Sequence, residues 1–257
     1  MSARYPALLA LIAVSWLVRP LITQAQNQSG TAAAASAKAS APVDLTGYWV
    51  ALVTEEWRFR MITPPKGDYS RVPMTPEARK IADAWDPAAD EAAGNQCKPY
   101  GAAAIMRVPT RLHVTWTGDN TLRIDTDAGT QTRLFHFDPS PVPNERTWQG
   151  YSRAQWEGTA LVPAARPAAP TSTAKSLKVV TTNMRNGYLR RNGVPYSEAA
   201  VLTEYFDVAP LPDGGQVLLV TAVVEDPRYL RQPFLVSSQF KKESDGSKWD
   251  PTPCSVR

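Results

Sequence analysis

The sequence predicts a mainly β protein: one antiparallel β-barrel of about nine strands with a single short helix. From Asp44 onward the apolar residues recur mostly at every second position, which is the period of a half-buried strand. The 257 residues include 23 prolines against 14 glycines, which suits short strands joined by stiff loops. The 8 tryptophans, 9 tyrosines and 6 phenylalanines favour strands as well. A two-sheet β-sandwich would give the same alternation and is the alternative.

The clearest alternation lies in Arg111–Thr117, where Leu112, Val114 and Trp116 share one face. Turn residues follow this segment and the next, which predicts a three-stranded meander. Closing such antiparallel strands into a barrel removes exposed sheet edges and can enclose a pocket. The other predicted strands are Gly47–Val53, Thr121–Thr126, Thr130–Phe137, Trp148–Glu157, Ser176–Thr182, Val201–Phe206, Gln216–Val224 and Phe234–Lys241.

One helix is predicted near Thr75–Trp85. Thr75 can cap its N-terminus, Pro76 fits the first helical position, and Ala78, Ile81 and Trp85 fall on one side. The proline- and alanine-rich segment Pro163–Pro170 is interpreted as a surface loop within the domain.

The N-terminus has the pattern of a Sec-type signal peptide covering residues 1–25. A positive charge at Arg4 precedes an apolar stretch that Arg19-Pro20 ends, and Ala25 is suited to a cleavage site. The apolar stretch is shorter than the roughly 20 residues that span a bilayer, so we expect no membrane span after cleavage; an uncleaved anchor and a buried first helix are the alternatives. Residues 26–43 are expected to be a disordered Ala/Ser-rich tether, residues 44–257 a single β domain, and the location the periplasm or the extracellular medium.

Export bears on the two cysteines. In an oxidising compartment Cys97 and Cys254 are expected to form a disulfide, with a reduced pair as the alternative. Two cysteines and two histidines are too few for common zinc or iron–sulfur sites, so we predict no metal and no cofactor. The 28 basic residues are scattered among 24 acidic ones, which makes nucleic acid a poor candidate partner.

Two resemblances support these expectations. The Gly47-Tyr48-Trp49 start of the first strand resembles the Gly-x-Trp start of lipocalin-like barrels. The region from Gln96 to Cys254 is similar to a large family of uncharacterised secreted bacterial β-rich proteins, in which a Trp-Glu-Gly-Asp sequence is common; here Thr159 follows Trp156-Glu157-Gly158 in place of the aspartate. This resemblance implies export and one β domain, and leaves catalysis open.

Candidate catalytic groups come from carboxylates and histidines. Glu204 shares the strand face of Leu202, and burying such a charge costs free energy unless the group is paired or used. Glu157 is the second carboxylate candidate, and His113 and His136 could share one sheet face with Arg123 and Asp125 for general-base work. The alternatives are structural ion pairs with arginines for the glutamates and a solvated outer face for the histidines.

Aromatic and arginine side chains make ligand binding the first functional hypothesis. We expect an exported barrel that binds a small apolar or aromatic ligand. A hydrolase or isomerase-type enzyme built on the Glu and His groups, and a non-catalytic interaction domain, are the alternatives. The candidate ligand-binding residues are Trp49, Trp116, Trp148, Tyr151, Arg107 and Arg133.

Overall fold

A closed nine-stranded barrel forms the body of the protein in a computed structural model, which describes residues 35–138, 140–158 and 175–256. The barrel confirms the predicted fold class and decides against the sandwich. The predicted signal peptide, the first part of the predicted tether and the Pro163–Pro170 loop lie outside the described residues.

All nine predicted strands are present, and a small hairpin adds two that the alternation did not predict. The barrel order is β1-β11-β10-β9-β6-β5-β4-β3-β2, and β7 pairs with β8 in a separate two-stranded sheet. In chain order the strands are β1 (Gly47–Leu52), β2 (Arg111–Trp116), β3 (Thr121–Thr126), β4 (Gln131–His136), β5 (Tyr151–Gly158), β6 (Lys175–Thr182), β7 (Gly187–Arg190), β8 (Val194–Tyr196), β9 (Val201–Pro210), β10 (Gln216–Glu225) and β11 (Phe234–Lys242).

The barrel is mixed rather than purely antiparallel. Strands β4 and β5 pair in parallel, with Phe135 opposite Ser152, whereas the other barrel pairs are antiparallel. The prediction of antiparallel pairing throughout was therefore wrong at this one position. The connection after β4 is long and contains Pro141 and Pro143, so it carries the chain back along the barrel instead of turning in a tight hairpin.

In the described part of the chain, four short α-helices lie outside the barrel: α1 (Trp57–Arg60), α2 (Pro76–Asp83), α3 (Pro87–Ala92) and α4 (Ala102–Ile105). The predicted helix is α2, where the Thr75 hydroxyl accepts a hydrogen bond from the Ala78 amide at 3.2 Å. The others have four to six residues, too few to show a helical period. Asp86-Pro87, which directly follows the predicted helix, caps and begins α3.

Two apolar clusters make up the core. The first fills the barrel with large side chains that are fully buried, among them Trp49, Leu112, Phe135, Phe206 and Phe240. The second joins the barrel end where β9 and β11 begin to the helices and the β7–β8 hairpin, through residues such as Ala78, Leu189, Tyr196, Leu202 and Phe234. We call this the covered end of the barrel.

The disulfide is confirmed. Cys97 and Cys254 are bonded, with their Cα atoms 5.1 Å apart, and the bond ties the chain before α4 to the C-terminal segment. Within the described ranges, none of the helices has the length and hydropathy needed to cross a membrane.

Candidate functional site

The predicted site residues Glu204 and Arg133 meet inside the barrel. Arg133 Nη1 and Nη2 donate to the two carboxylate oxygens of Glu204 at 3.0 and 2.6 Å, and both side chains are almost completely buried. Arg133 Nη2 also donates to the Thr181 hydroxyl at 3.2 Å, and Thr181 in turn hydrogen-bonds to Ser152 at 2.7 Å. This arrangement corresponds to the structural ion pair that was the alternative reading of Glu204.

The other catalytic candidates lie elsewhere. His113 and His136 alternate with buried residues of β2 and β4, so both face outward, away from Glu204. His113 stacks on Tyr48 with ring centroids 4.2 Å apart, and His136 stacks on Tyr151 at 5.0 Å. Glu157 is half-buried and lies 3.4 Å from Lys178. The structure therefore does not bring the four candidates together.

The predicted aromatic ligand-binding residues are also dispersed. Trp49 is fully buried and its indole donates to the Leu45 carbonyl at 2.9 Å. Trp116 packs against Phe137 at 5.5 Å. Trp148 lies under the Arg185 guanidinium at 4.6 Å, and Tyr151 donates to the Ser140 carbonyl at 3.2 Å.

Arg107, in contrast, belongs to a dense group of charges at the covered end. We call Glu56, Arg60, Arg107 and Arg190 the arginine cluster. The three arginines are only 3 to 6% exposed. Arg107 Nη2 donates to Glu56 Oε2 at 2.6 Å, and Arg190 Nη2 donates to Glu56 Oε1 at 3.4 Å. Glu56 is thus the carboxylate that hydrogen-bonds to Arg107 and Arg190, while Glu55 acts on Arg60, and Asp68 on Arg190, through charge interaction alone.

Backbone carbonyls satisfy part of each guanidinium. Arg60 Nε donates to the Arg107 carbonyl at 2.8 Å, Arg107 Nη1 to the Leu189 carbonyl at 3.0 Å, and Arg190 Nη1 to the Ser70 carbonyl at 2.7 Å. Two buried nitrogens, Nη2 of Arg60 and Nε of Arg190, have no hydrogen-bond partner among the described residues. Buried donors of this kind are usually satisfied by water or by a ligand.

Burial and neighbouring positive charge lower the pKa values of two arginines in the cluster. Burial and the nearby Arg107 cation lower the pKa of Arg60 to about 10, against the weaker opposing effects of Glu56 and Glu55. Burial and Arg107 lower the pKa of Arg190 to about 10 in the same way. A lowered arginine pKa means that the fold holds the charged forms at a cost, which an added anion would offset.

Neighbouring elements hold the cluster in place. Arg60 comes from α1, Arg107 follows α4, and Arg190 ends β7. The Arg190 guanidinium lies 4.1 Å from the Phe59 ring centroid, and the Arg107 guanidinium 5.6 Å from that of Phe234. These contacts fix the guanidinium planes in an environment of low polarity, where charge interactions are strong.

A cleft opens beside the cluster on the Glu56 side. It has a volume of about 420 Å³, within the range of small-molecule sites. Its lining is part acidic, part basic and part apolar: Glu55, Glu56, Arg71, Phe234, Leu235, Val236 and Ser237. A second pocket, lined by Phe59, Arg60, Arg107 and Arg190 among others, has a volume of only about 20 Å³, enough for one water molecule.

Sequence reasoning identified Arg107 but not its partners. Glu56, Arg60 and Arg190 are separated by up to 134 positions, and only the hairpin β7–β8 and the short helices bring them together. The sequence signal available was the presence of arginines inside apolar segments, as in Trp57-Arg58-Phe59-Arg60 and Tyr188-Leu189-Arg190.

Among the described residues, no group of three or more His, Cys, Asp or Glu side chains is placed to hold a metal ion. Comparison with known proteins found no matching family model, no matching curated protein and no matching solved structure. The arginine cluster and its cleft are therefore the features of the molecule that point to a function.

Proposed function

We propose that this protein is an exported β-barrel that binds a small organic anion with an apolar or aromatic body, at the cleft beside the arginine cluster. The observation that carries the proposal is the group of three buried arginines, with nitrogens of Arg60 and Arg190 that have no partner among the described residues, beside a ligand-sized cleft. Buried donors are usually satisfied by water or by a ligand, and an anion interacts strongly with buried guanidinium groups.

The cleft also offers an apolar surface for the body of such a ligand. Phe234, Leu235 and Val236 give it an apolar wall, and Leu235 is 64% exposed there. Apolar area buried by the body of a ligand would contribute roughly 25 cal/mol per Å² before the costs of association. A ligand with one charged end and one apolar end satisfies both the arginines and this wall.

Export is the second part of the proposal. The disulfide is consistent with an oxidising compartment, and the signal-peptide pattern of residues 1–25 supports passage across a membrane. The Gly-x-Trp start and the similarity to secreted bacterial proteins point in the same direction. N-terminal sequencing of the exported protein should begin near Gln26; an intact Met1 in the membrane fraction would contradict cleavage.

The test of binding is a thermal-shift screen followed by calorimetric titration with benzoate, phenylacetate, acetate and inorganic phosphate. We expect an aromatic acid to raise the melting temperature of the wild-type protein. Arg190→Met should weaken its binding at least about tenfold, or 1.4 kcal/mol, because the variant removes one of the two arginines that donate to Glu56 at the edge of the cleft. Arg123→Met is the matched control, since Arg123 pairs with Asp125 on the outer face of the barrel.

Two results would contradict the proposal. One is the absence of a thermal shift with every anion in the panel. The other is a response of Arg190→Met equal to that of Arg123→Met, which would place binding elsewhere on the protein.

A further inference from the structure

Glu56 occupies the boundary between the cleft and the buried arginines. Its side chain is 16% exposed, it lines the cleft, and its two oxygens bridge Arg107 and Arg190 at 2.6 and 3.4 Å. Arg71 Nη1 lies 3.9 Å from the same Oε1. A carboxylate from the chain itself therefore sits where the arginines and the cleft meet.

The backbone at Glu56 adds a second observation. Glu56 has φ 48° and ψ 29°, in the left-handed region that residues other than glycine, asparagine and aspartate seldom adopt. It stands at the N-cap of the four-residue helix α1, and its side chain makes no capping hydrogen bond. Local preference thus opposes this conformation, and the ion pairs with Arg107 and Arg190 hold it.

The space around the cluster determines how a ligand can reach the arginines. The small pocket on the Arg60 side admits only a water-sized group, so an organic acid cannot bind there without rearrangement. The 420 Å³ cleft is large enough, but Glu56 stands between it and Arg107 and Arg190. Direct contact between a ligand anion and these two arginines requires Glu56 to leave.

We propose that Glu56 is an internal substitute for the ligand, and that the ligand is a monocarboxylic acid with an apolar body which binds by displacing it. This inference rests on the proposed function and names the ligand class. The two oxygens of the incoming carboxylate take over the hydrogen bonds that Arg107 and Arg190 now make to Glu56. The apolar body lies along Phe234 and Leu235, and the displaced Glu56 moves into solvent together with its neighbour Trp57.

Displacement has a thermodynamic signature. In the wild-type protein the Glu56 ion pairs must break before the ligand binds. The apparent affinity is therefore the intrinsic affinity multiplied by the small fraction of molecules in which Glu56 is released. Removing the Glu56 carboxylate removes this competition. A substitution in the site should therefore tighten binding, which a simple contact residue would not do.

The experiment uses Glu56→Gln and Glu56→Gly, with Glu77→Gln as the matched control. Glu77 is a carboxylate outside the cleft, and it accepts from Arg228 at 2.8 Å on the surface. Glycine adopts the left-handed conformation without strain, so Glu56→Gly removes the charge and the backbone cost together. We expect both Glu56 variants to bind benzoate at least tenfold more tightly than wild type, and Glu77→Gln to bind like wild type.

A rescue measurement covers variants that fold poorly. Acetate carries the same carboxylate as the removed side chain, so it should raise the melting temperature of Glu56→Gly, or restore its folded circular dichroism, at concentrations that leave wild type unchanged. Absence of rescue would overturn the proposal, and so would stronger rescue by inorganic phosphate than by acetate, which would exclude the carboxylate class.

A spectroscopic readout reports the movement itself. Trp57 is 63% exposed beside Glu56, so benzoate binding should change a tryptophan emission component that is lost in Trp57→Phe. If acids bind wild type through Arg190 but the Glu56 variants bind no more tightly, displacement is wrong and the proposed function stands. If neither wild type nor the Glu56 variants bind any acid, both proposals fail.

Discussion

Arg133 and Glu204 connect two barrel strands that are not neighbours. Arg133 belongs to β4 and Glu204 to β9, with β5 and β6 between them in the sheet, and two hydrogen bonds of 3.0 and 2.6 Å join their side chains through the interior. Because both side chains are excluded from water, the pair links opposite parts of the barrel wall in a medium where an unpaired charge is very costly.

Replacing one partner of this pair should destabilise the protein strongly without touching ligand binding. Glu204→Gln leaves the Arg133 cation buried and uncompensated, and we expect the free energy of unfolding to fall by about 3 to 5 kcal/mol. Denaturant unfolding measures this change. The control is Glu157→Gln, whose partially exposed pair with Lys178 should contribute at most about 1 kcal/mol. A loss below 1 kcal/mol for Glu204→Gln, or a weaker response to benzoate, would contradict a purely structural role.

Arg60→Met should affect ligand binding more than stability, which is the reverse of the effect expected for Glu204→Gln. Arg60 donates one hydrogen bond to the Arg107 carbonyl, but its buried charge is repelled by that of Arg107. Methionine keeps most of the packing and removes the repulsion, so we expect the free energy of unfolding at pH 7 to change by less than about 1 kcal/mol. Benzoate affinity should fall, because the attraction for anions is weaker. Unfolding curves and titrations of the same samples test this, and a stability loss comparable to that of Glu204→Gln would refute it.

Half-buried Tyr188 and fully buried Tyr196 should respond differently at neutral pH when their hydroxyl groups are removed. Tyr188 donates to Asp90 at 2.6 Å, so Tyr188→Phe should cost about 1 to 3 kcal/mol. The Tyr196 hydroxyl is buried near Gly187 and has no hydrogen-bond partner among the described residues, so Tyr196→Phe should be neutral or stabilising. Denaturant unfolding at pH 7 compares the two variants, and equal losses would show that Tyr196 has a partner.

The same tyrosines predict the alkaline behaviour. Burial raises the pKa of Tyr188, with Asp90 adding to the effect, and burial raises the pKa of Tyr196. A raised pKa means that the folded state keeps protons which the unfolded state releases above its ordinary pKa of 10.0. The stability from this source is complete below pH 10 and is lost as the pH rises above it. Wild type should therefore lose stability more steeply between pH 9.5 and 11 than Tyr188→Phe/Tyr196→Phe (a range set by that ordinary pKa of about 10); parallel profiles would contradict this.

The disulfide should stabilise the fold without being part of the ligand site. Replacing Cys97 and Cys254 together by serine is expected to lower the free energy of unfolding by about 2 to 4 kcal/mol, because the unfolded chain regains the freedom of a long loop. Adding reductant to the wild type should lower its thermal stability by the same amount as the double substitution. Reductant should not change the thermal stability of the variant. Two thiols that alkylate in the native protein without reductant would contradict the bond.

The sequence predicted the barrel well and the candidate site poorly, for one physical reason. Alternation is a local property, and residues such as Leu112 and Val114 reveal their strand and face within a few positions. The arginine cluster depends on contacts such as Arg190 with Glu56 and Ser70, which lie far apart along the chain. The parallel pairing of β4 with β5 was missed because alternation gives no information on strand direction.

Glu204 illustrates what a local sequence pattern can predict and what it cannot. Its period-two spacing from Leu202 correctly indicated a buried position. The spacing could not show that Arg133, 71 residues away, provides its counter-charge. The sequence pattern therefore indicated that Glu204 is buried, and only the three-dimensional structure showed that it forms an ion pair with Arg133.

Closure of the barrel depends on a pairing between its first and last strands. Trp49 of β1 lies opposite Lys242 of β11, so the wall is completed only when segments almost two hundred residues apart find each other. Until then β1 and β11 each keep an unpaired edge that could pair with another chain. Such non-local pairing slows folding, because the entropy of a long chain loop is lost before its contacts form. Molecules in which β1 and β11 have not yet paired are therefore more prone to aggregate than the closed barrel.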